Sequence, residues 1–269
     1  MIKKITIDKE KCVHCGLCIK DCPTNCIKFN EDKIPQYIQG GKDICFACQH
    51  CFSICPTGAL SFADKDPDES ESIGFGNSED LKKLIKSRRS IRFFKDENVP
   101  KEKLDKIIEI LPYSPTATNR DNLHFSIIET KEKMDEIRRL TYEKVMSVKD
   151  SNPFFDMAKE AHQKGNDLIY RGATSMIAVA VDKNNTSPGA EIVDSTIALS
   201  YIDLYAQSLA LGTTWCGIAF FVLNQFPEIY KLLNIPENYT LSYTMLLGVP
   251  NIKYARTPQL DKFSVELLK

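Results

Sequence analysis

Eight cysteines near the start of the chain have a spacing that suits iron-sulfur chemistry. The segment CVHCGLCIKDCP, from Cys12, returns 33 residues later as CFACQHCFSICP, from Cys45. Each copy reads C-x2-C-x2-C-x3-C-P, in which three thiolates on one tight loop can hold three corners of a cubane cluster. Zinc sites and structural thiols are the alternatives, but zinc is usually held by C-x2-C pairs that a longer spacer separates. The repeat therefore favours 4Fe-4S clusters.

This N-terminal segment resembles the bacterial two-cluster ferredoxins over all of its roughly 60 residues, including Pro23 and Pro56 after the last cysteine of each copy. In those ferredoxins the fourth cysteine of each copy ligates the other cluster. The resemblance therefore implies two clusters with crossed ligand sets. One set is Cys12, Cys15, Cys18 and Cys55, and the other is Cys45, Cys48, Cys51 and Cys22.

Three other residues of this segment are candidate ligands by type. Cys26 aligns with Ala59 in the repeat, at a packing position, so we expect a buried thiol. His14 and His50 lie inside the ligand loops. Because eight cysteines already satisfy two clusters, both histidines are interpreted as loop residues.

A second kind of chemistry is indicated by the segment LKKLIKSRRSIRFF. Arg88, Arg89, Ser90 and Arg92 place three guanidinium groups and a hydroxyl within five residues. Guanidinium forks and a hydroxyl suit a phosphate dianion. A short basic run is more often a solvated face, so these residues alone leave both interpretations open.

Three further segments favour the phosphate interpretation. They are, in chain order, SPTATNRDNLHF (114–125), ALGTTWCGIAFF (210–221) and LLGVPNIKYARTP (246–258). Together with RRSIRFF they resemble the FMN-dependent nitroreductase family from about residue 79 onward. The whole chain is similar to the ferredoxin-fused members of that family. The resemblance implies an FMN-binding homodimer with the flavin at the subunit interface.

The resemblance also assigns roles to individual residues. Arg88, Ser90 and Arg92 match positions that hold the FMN phosphate and ribityl chain, and Arg89 matches a main-chain contact. Arg256 matches a second basic contributor to the phosphate, with Lys253 a weaker candidate. The loop that reaches the flavin from the partner subunit is matched by Pro115, Thr116, Ala117 and Asn119.

Cys216 and Gly217 match the segment over the flavin ring, where a backbone N–H approaches flavin N5. Gly217 lacks a Cβ, so its backbone can lie close to a flat ring and tune the reacting atom. Cys216 is interpreted as a small apolar filler in preference to a redox thiol, because no second cysteine is near in sequence. Asp121 and Leu123 depart from the family pattern, in which glutamine and tryptophan are common. No side chain is identified as a catalytic acid, base or nucleophile.

The chain is expected to form two domains joined by a linker. Residues 1–63 are the cysteine-rich unit, 64–78 are an acidic linker rich in Pro, Gly and Ser, and 79–269 are the flavin-binding domain. Apolar periodicity predicts helices after Pro100 and over 131–147, 154–170 and 192–211, the last ending at Gly212. Strands are predicted at 124–129, 175–182 and 241–249. The fold class is α+β, with the apolar helix 192–211 buried in a core or a dimer interface.

Composition excludes some classes of function. The formal net charge is -1 over 269 residues, with no long basic run, so nucleic acid and anionic membranes are not expected partners. The N-terminus shows no secretory signal pattern, and nine of the ten cysteines lie before residue 56. These features predict a cytoplasmic protein that uses its cysteines for metal ligation.

The expected function is a flavin-dependent oxidoreductase. It would pass low-potential electrons from two 4Fe-4S clusters to FMN, and then to a small organic acceptor such as a nitroaromatic or a quinone. A separate reduced ferredoxin is the expected donor, because no G-x-G-x-x-G motif for a nicotinamide cofactor follows a strand. The alternative is an electron carrier or redox-sensing flavoprotein that has no small-molecule substrate of its own.

Overall fold

Two structural units divide the chain in the computed structural model, which describes residues 3–149, 152–260 and 263–268. The first unit comprises the described residues up to Phe75 together with Thr118–Arg120. The second comprises Gly76–Ala117 and the described residues from Asp121 onward.

The first unit consists of short elements in two similar halves. They are the strands β1 (Ile5–Ile7), β2 (Ile27–Phe29), β3 (Pro35–Tyr37) and β4 (Leu60–Phe62), and the helices α1 (Leu17–Lys20), α2 (Gly41–Ile44) and α3 (His50–Ser53). Helix α3 lies 33 residues after α1, and β4 lies 33 residues after β2, which is the offset of the cysteine repeat. Strand β1 pairs antiparallel with β4, and β2 pairs antiparallel with β3. Each sheet therefore joins one strand of each half.

Cysteines and a few large apolar side chains form the core of this unit. Leu60 and Phe62 are each 1% exposed, and so is Cys26. The buried thiol predicted at position 26 is therefore confirmed. The acidic segment that follows contains one 3-10 turn, Pro67–Glu69, which begins where the Asp66 carboxylate accepts a hydrogen bond from the Asp68 N–H.

The second unit has a four-stranded sheet covered by helices. Its strands are β5 (Leu123–Ile128), β6 (Ser175–Asp182), β7 (Gly212–Trp215) and β8 (Tyr239–Gly248). Its helices are α4 (Ser78–Ser87), α5 (Lys101–Ile110), α6 (Lys131–Ser147), α7 (Pro153–Gln163), α8 (Glu191–Ser208), α9 (Gly217–Gln225) and α10 (Pro227–Tyr230). The strand order is β5-β6-β8-β7, and all neighbours are antiparallel.

Strand β6 is buried on both of its faces, so the sheet has two cores. Met176 and Ala178 face one core, and Ile177 and Val179 face the other, as the two-residue period of a strand requires. The first core is completed by α6, α7 and α9, and the second by α5 and α8. The α+β fold class predicted from the sequence is confirmed.

Two helix ends differ from the predictions. Helix α7 ends at Gln163, because Gly165 is left-handed with φ +77° and the following turn is held by the Asp167 carboxylate. Helix α8 ends at Ser208, and Ala210, not Gly212, takes the left-handed conformation there, with φ +57°. Gly212 instead starts β7, where an added Cβ would lie 2.9 Å from the Ile91 side chain. A close approach of two chain segments therefore explains this glycine.

Within the described ranges, every helix is either too short or too polar to cross a membrane.

Candidate cofactor sites

The cysteines of the first unit surround two separate cavities. One cavity is lined by Cys12, Cys15, Cys18 and Cys55, together with apolar side chains such as Ile7 and Leu60. The other is lined by Cys22, Cys45, Cys48 and Cys51, together with Cys26 and Phe62. Each cavity thus receives three cysteines from one copy of the repeat and the fourth from the other copy. This is the crossed grouping that the resemblance to two-cluster ferredoxins implies.

The two cysteine loops share one backbone conformation. The left-handed residues His14 and Gly16 have φ values of +54° and +73°, and their counterparts Ala47 and Gln49 have +53° and +59°. Gly16 and Gln49 are the N-cap residues of α1 and α3. Two left-handed residues curl each loop, so that its three cysteines can point to one space.

Hydrogen-bond donors also point at the sulfur atoms. Ala47 N–H donates to Cys45 Sγ at 3.3 Å, and Ala59 N–H donates to Cys55 Sγ at 3.3 Å. The Tyr37 hydroxyl donates to Cys45 Sγ at 3.5 Å. Such bonds stabilise thiolate sulfur and tune the reduction potential of a bound cluster.

One buried cysteine in each cavity has a thiolate that its surroundings disfavour. Burial raises the pKa of Cys18, and the neighbouring Cys55 and Cys15 raise this pKa further. Burial raises the pKa of Cys51 to about 12, with added repulsion from Cys45 and Cys48. Several thiolates around one cavity repel each other, and iron offsets that repulsion. The donor set therefore fits an iron-sulfur cluster.

The two histidines of the loops have partners other than a metal. His14 Nδ1 lies 2.9 Å from the Lys33 carbonyl oxygen, and His50 Nδ1 lies 3.2 Å from Asp21 Oδ2. Among the described residues, no three His, Cys, Asp or Glu side chains are grouped closely enough to hold a single metal ion. Cys26 Sγ lies 3.4 Å from Cys22 Sγ at the edge of the second cavity.

In the second unit, the arginine-rich segment is fixed along the edge strand β7. Ser90 forms a parallel bridge with Thr213, and Ile91 N–H donates to the Thr213 carbonyl at 2.8 Å. Arg88 Nη1 lies 3.7 Å from Asp203 Oδ2 of α8. Arg89 folds back on the main chain, donating to the Lys86 carbonyl at 3.1 Å and to the Arg88 carbonyl. Arg92 is exposed.

Cys216 and Gly217 form the start of α9, directly after β7. The Cys216 side chain caps the helix by accepting a hydrogen bond from Ala219 N–H at 3.4 Å. A Cβ at Gly217 would lie 2.9 Å from Tyr243 Oη. The tyrosine ring in turn stacks on Phe220, with centroids 5.5 Å apart. A side chain at position 217 would therefore require the Tyr243 hydroxyl to move.

The loop of residues 115–119 is anchored to the other end of α8. Ala117 N–H donates to Asp194 Oδ1 at 3.0 Å, and Asn122 donates to Asp194 Oδ2 at 3.1 Å. Pro115, Thr116 and Ala117 line an open pocket with Val193 and Ser187. Asn119 ends the 3-10 turn that starts at Ala117, with φ +53°.

Lys253 and Arg256 follow a stretch of main chain that is hydrogen-bonded to the arginine-rich segment. Asn251 N–H donates to the Phe93 carbonyl at 2.9 Å, so the segment after β8 runs beside the arginine-rich segment. Lys253 and Arg256 follow it in an exposed, irregular stretch. Their side chains lie in solvent.

Two further residues, Asp194 and Asp203, support the candidate flavin site, and no motif in the sequence identifies them. Both are buried acids on α8, 2% and 5% exposed, and each holds one of the segments predicted to contact the flavin. The sequence carried a signal, because these are the two acids within the apolar run from Val193 to Leu211. A buried acid in an apolar helix needs a polar partner.

The comparison with protein families decides the assignment of the second unit. Residues 85–249 match the model of the Nitroreductase family. The chain belongs to the nitroreductase family. Residues 3–59 match the model of the 4Fe-4S dicluster domain, so this nitroreductase carries an N-terminal iron-sulfur domain. As a member of this family it is an FMN-dependent oxidoreductase, which confirms the predicted enzyme class.

Individual relatives agree with this assignment. The FMN reductase (NAD(P)H) of Bacillus subtilis (strain 168) is 28% identical over 193 residues, which are 68% of this nitroreductase and 71% of that protein. A nitroreductase with bound FMN from Desulfitobacterium hafniense DCB-2 has a TM-score of 0.57 and 26% identity, covering 71% of this chain and 100% of that one. A nitroreductase with bound FMN from Bacteroides fragilis NCTC 9343 has a TM-score of 0.58 at 19% identity, covering 72% and 100%, and shows the shared fold.

Proposed function

We propose that this nitroreductase takes low-potential electrons into two 4Fe-4S clusters and delivers them, through FMN, to a small organic acceptor such as a nitroaromatic or a quinone. The observation that carries the proposal is the pair of four-cysteine cavities in the first unit. A nitroreductase reduced directly by a nicotinamide has no need of such centres. The clusters supply one-electron transfer, and the flavin supplies two-electron transfer at N5.

The cluster ligands in this proposal are the two crossed sets. One cluster takes Cys12, Cys15, Cys18 and Cys55, and the other takes Cys22, Cys45, Cys48 and Cys51. The hydrogen bonds from Ala47 and Ala59 main-chain N–H groups support the sulfur of one cysteine in each set. Cys18 of the first set and Cys22, Cys45 and Cys51 of the second are buried, which supports a low dielectric around those sulfur atoms.

The flavin in this proposal is held by three segments of the second unit. Arg88, Ser90 and Arg92 bind the phosphate and ribityl chain, with Arg89 contributing main-chain contact and with Lys253 and Arg256 in support. Gly217 lets the main chain approach the flavin ring because it has no Cβ. Cys216 fixes that main chain through its 3.0 Å N–H bond to the Thr244 carbonyl.

The fourth contribution comes from a second copy of the chain. Pro115, Thr116, Ala117 and Asn119 form the loop that, by family resemblance, reaches the partner's flavin. The loop has a fixed anchor in Asp194. We therefore propose a homodimer with FMN at the subunit interface.

Cofactor content tests the first step of this proposal. After anaerobic purification, iron, acid-labile sulfide and flavin are quantified together on the same sample. We expect about eight iron atoms, about eight sulfides and about one FMN per chain. Zinc in place of iron, or a chain without flavin, would contradict the proposal.

Electron supply tests the second step. Stopped-flow absorbance under anaerobic conditions follows flavin reduction by reduced ferredoxin and, separately, by NADH. We expect fast reduction by ferredoxin, because the clusters form the electron entry. The double variant Cys15→Ser/Cys48→Ser should retain FMN and lose ferredoxin-dependent reduction. The control Cys26→Ala changes a cysteine outside both ligand sets to the residue at the matching position of the other copy, Ala59, and should keep ferredoxin-dependent reduction.

One outcome would overturn the electron path. If NADH reduces the flavin of the Cys15→Ser/Cys48→Ser protein as rapidly as reduced ferredoxin reduces the flavin of the unaltered protein, the clusters are not the entry point. The last step is tested by adding nitroaromatics, quinones and enoates to the reduced protein. Reoxidation by none of them would favour an electron carrier or redox sensor over an enzyme with its own organic substrate.

A further inference from the structure

Asp203 is a buried carboxylate at the meeting point of three elements of the second unit. It lies on α8 with 5% of its surface exposed. Trp215 Nε1–H of β7 donates to its Oδ2 at 3.0 Å, and the Thr213 hydroxyl of the same strand donates to its Oδ1. Arg88 Nη1, at the end of α4, lies 3.7 Å from Oδ2. A buried carboxylate is costly unless it is paired, and here two donors and one cation surround it.

The Arg88 contact engages only one side of the guanidinium. A guanidinium carries five N–H donors in a planar fork. In Arg88 the Nη1 atom faces Asp203, while the side chain is 36% exposed. The remaining donors are therefore free to bind an anion that approaches from solvent. A guanidinium held on one edge loses less rotational freedom when it binds a phosphate on the other edge.

The main chain beside Arg88 is fixed by the strand that Asp203 holds. Thr213 uses its hydroxyl for Asp203 and its backbone for Ser90 and Ile91. The hydroxyl of the neighbouring Thr214 donates to the Ile91 carbonyl. Asp203 thus contacts the arginine directly and the serine segment through β7.

We propose that Asp203 is a positioning residue for the flavin phosphate. It holds one edge of the Arg88 guanidinium and so aims the other edge at the phosphate site. This inference rests on the proposed function, in which Arg88 binds the phosphate. A purely structural role, in which Asp203 only ties α8 to β7, predicts a different result.

Riboflavin separates the two roles, because it has the flavin ring and ribityl chain but no phosphate. The test measures the dissociation constants of FMN and of riboflavin for the full chain after its flavin has been removed. Quenching of flavin fluorescence under anaerobic conditions gives both constants. Asp203→Asn keeps the size of the side chain and one acceptor oxygen but removes the charge that holds Arg88.

For Asp203→Asn we expect the FMN dissociation constant to rise about tenfold, as for loss of one charge-assisted contact. The riboflavin constant should stay within about twofold. Arg88→Ala should also weaken FMN selectively, and Arg88→Ala/Asp203→Asn should lose little beyond Arg88→Ala alone. The control Trp215→Phe removes the hydrogen bond from the indole N–H to Asp203. It should weaken FMN and riboflavin binding by the same factor or leave both unchanged.

Equal weakening of FMN and riboflavin by Asp203→Asn would overturn the inference, and so would additive losses in the double variant. If Asp203→Asn does not fold, Asp203→Ser replaces it, because serine offers a neutral hydroxyl acceptor. The same two comparisons apply to it: FMN against riboflavin affinity, and the single against the double variant. If Arg88→Ala itself leaves the ratio of FMN to riboflavin affinity unchanged, the phosphate assignment of the proposed function fails, and this inference fails with it. If Asp203→Asn alone does not show the expected selective loss of FMN affinity, the assignment of Arg88 to the phosphate is unaffected.

Discussion

The Cys216 thiol lies at the start of α9, where it donates to the Ile169 carbonyl at 3.3 Å and accepts from Ala219 N–H. Burial raises its pKa to about 11. The thiolate is the reactive form, so this cysteine should be inert in the folded protein. We expect N-ethylmaleimide to label Cys216 at pH 8 about 100-fold more slowly in the folded chain than in the unfolded chain. Mass spectrometry of the Cys216 peptide gives both rates.

The same pKa shift predicts a dependence of stability on pH. Between about pH 9 and 11 the unfolded thiol ionises while the folded thiol stays protonated, so the free energy of unfolding falls as pH rises. Below about pH 9 the group adds no pH dependence. The control Cys216→Ala should show a smaller fall over that interval. Fast labelling that also stops flavin reduction would instead identify Cys216 as a functional thiol.

The Tyr37 hydroxyl should affect the reduction potential of only one of the two proposed clusters. Its hydroxyl donates to Cys45 Sγ, and the bond stabilises the more negative, reduced state of the cluster bound there. Tyr37→Phe should lower the potential of that cluster by on the order of 20–60 mV, the equivalent of one net hydrogen bond. A redox titration followed by electron paramagnetic resonance measures both clusters. The cluster at Cys12, Cys15, Cys18 and Cys55 is the internal control, and an equal shift of both potentials would contradict the role of this bond.

The crossed cysteine sets were implied by the resemblance to two-cluster ferredoxins, and the same sets line the two cavities; their role as cluster ligands stays a prediction. Cys22 and Cys55 line the cavities opposite their own loops. The sulfur donor Tyr37 was not predicted, since its contact with Cys45 depends on the packing of β3 against a loop. The residues next to Tyr37 in the sequence do not indicate that its hydroxyl bonds to a cysteine sulfur.

At the scale of elements, the junction of β7 and α9 depends on a glycine. A Cβ at Gly217 would lie 2.9 Å from Tyr243 Oη, and the next nearest atom, Tyr243 Cζ, is 3.8 Å away. Gly217→Ala should therefore destabilise the chain by about 1–3 kcal/mol, the usual cost of overpacking, and weaken FMN binding. Thermal unfolding of the flavin-free chain and FMN titration measure the two effects.

A second substitution distinguishes crowding from other causes. Tyr243→Phe removes the hydroxyl, so Gly217→Ala/Tyr243→Phe should recover most of the stability that Gly217→Ala loses. Tyr243→Phe alone is the matched control. If the double variant is as unstable as Gly217→Ala, the glycine is required for a reason other than this contact.

Helix and strand positions were predicted where periodicity is strong, and the errors have physical reasons. Strand β6 was predicted with its observed bounds because all of its interior is apolar. Helix α7 was predicted to run to residue 170, but Gly165 and the Asp167 carboxylate, which accepts from the Tyr170 and Gly172 N–H groups, form a turn. Hydrogen bonds from main-chain N–H groups to an acidic side chain a few residues away compete with helix formation.

At the scale of the whole chain, the candidate flavin residues could be named from motifs, but their supports could not. Asp194 and Asp203 contact residues 77 and 115 positions away in sequence. Such contacts follow from how α8 packs on the sheet, which no local pattern encodes. The order of strands β5-β6-β8-β7 was likewise unpredicted, because β7 is short and was not recognised as a strand.

The outward face of α8 leads to a prediction about assembly. Its inward face packs Leu199 and Ile202 on the sheet, whereas Val193 and Tyr201, on the other side of the helix, are 53% and 45% exposed. Val193 also lines the pocket formed with the 115–117 loop. A homodimer that covers this face would bury the apolar side chains beside the loop proposed to contact the partner's flavin. We expect light scattering to give about 61 kDa, twice the 30.5 kDa of one chain.

Charge on that face should break the dimer and release the flavin together. Val193→Glu/Tyr201→Glu places two carboxylates where an apolar contact is expected, so the dimer dissociation constant should rise at least about 100-fold. FMN affinity should fall in parallel, because each flavin would lose the partner's loop. Ile108→Glu is the matched control, since Ile108 is 42% exposed on α5. A monomeric variant that keeps full FMN affinity would show that one chain completes the flavin site without its partner.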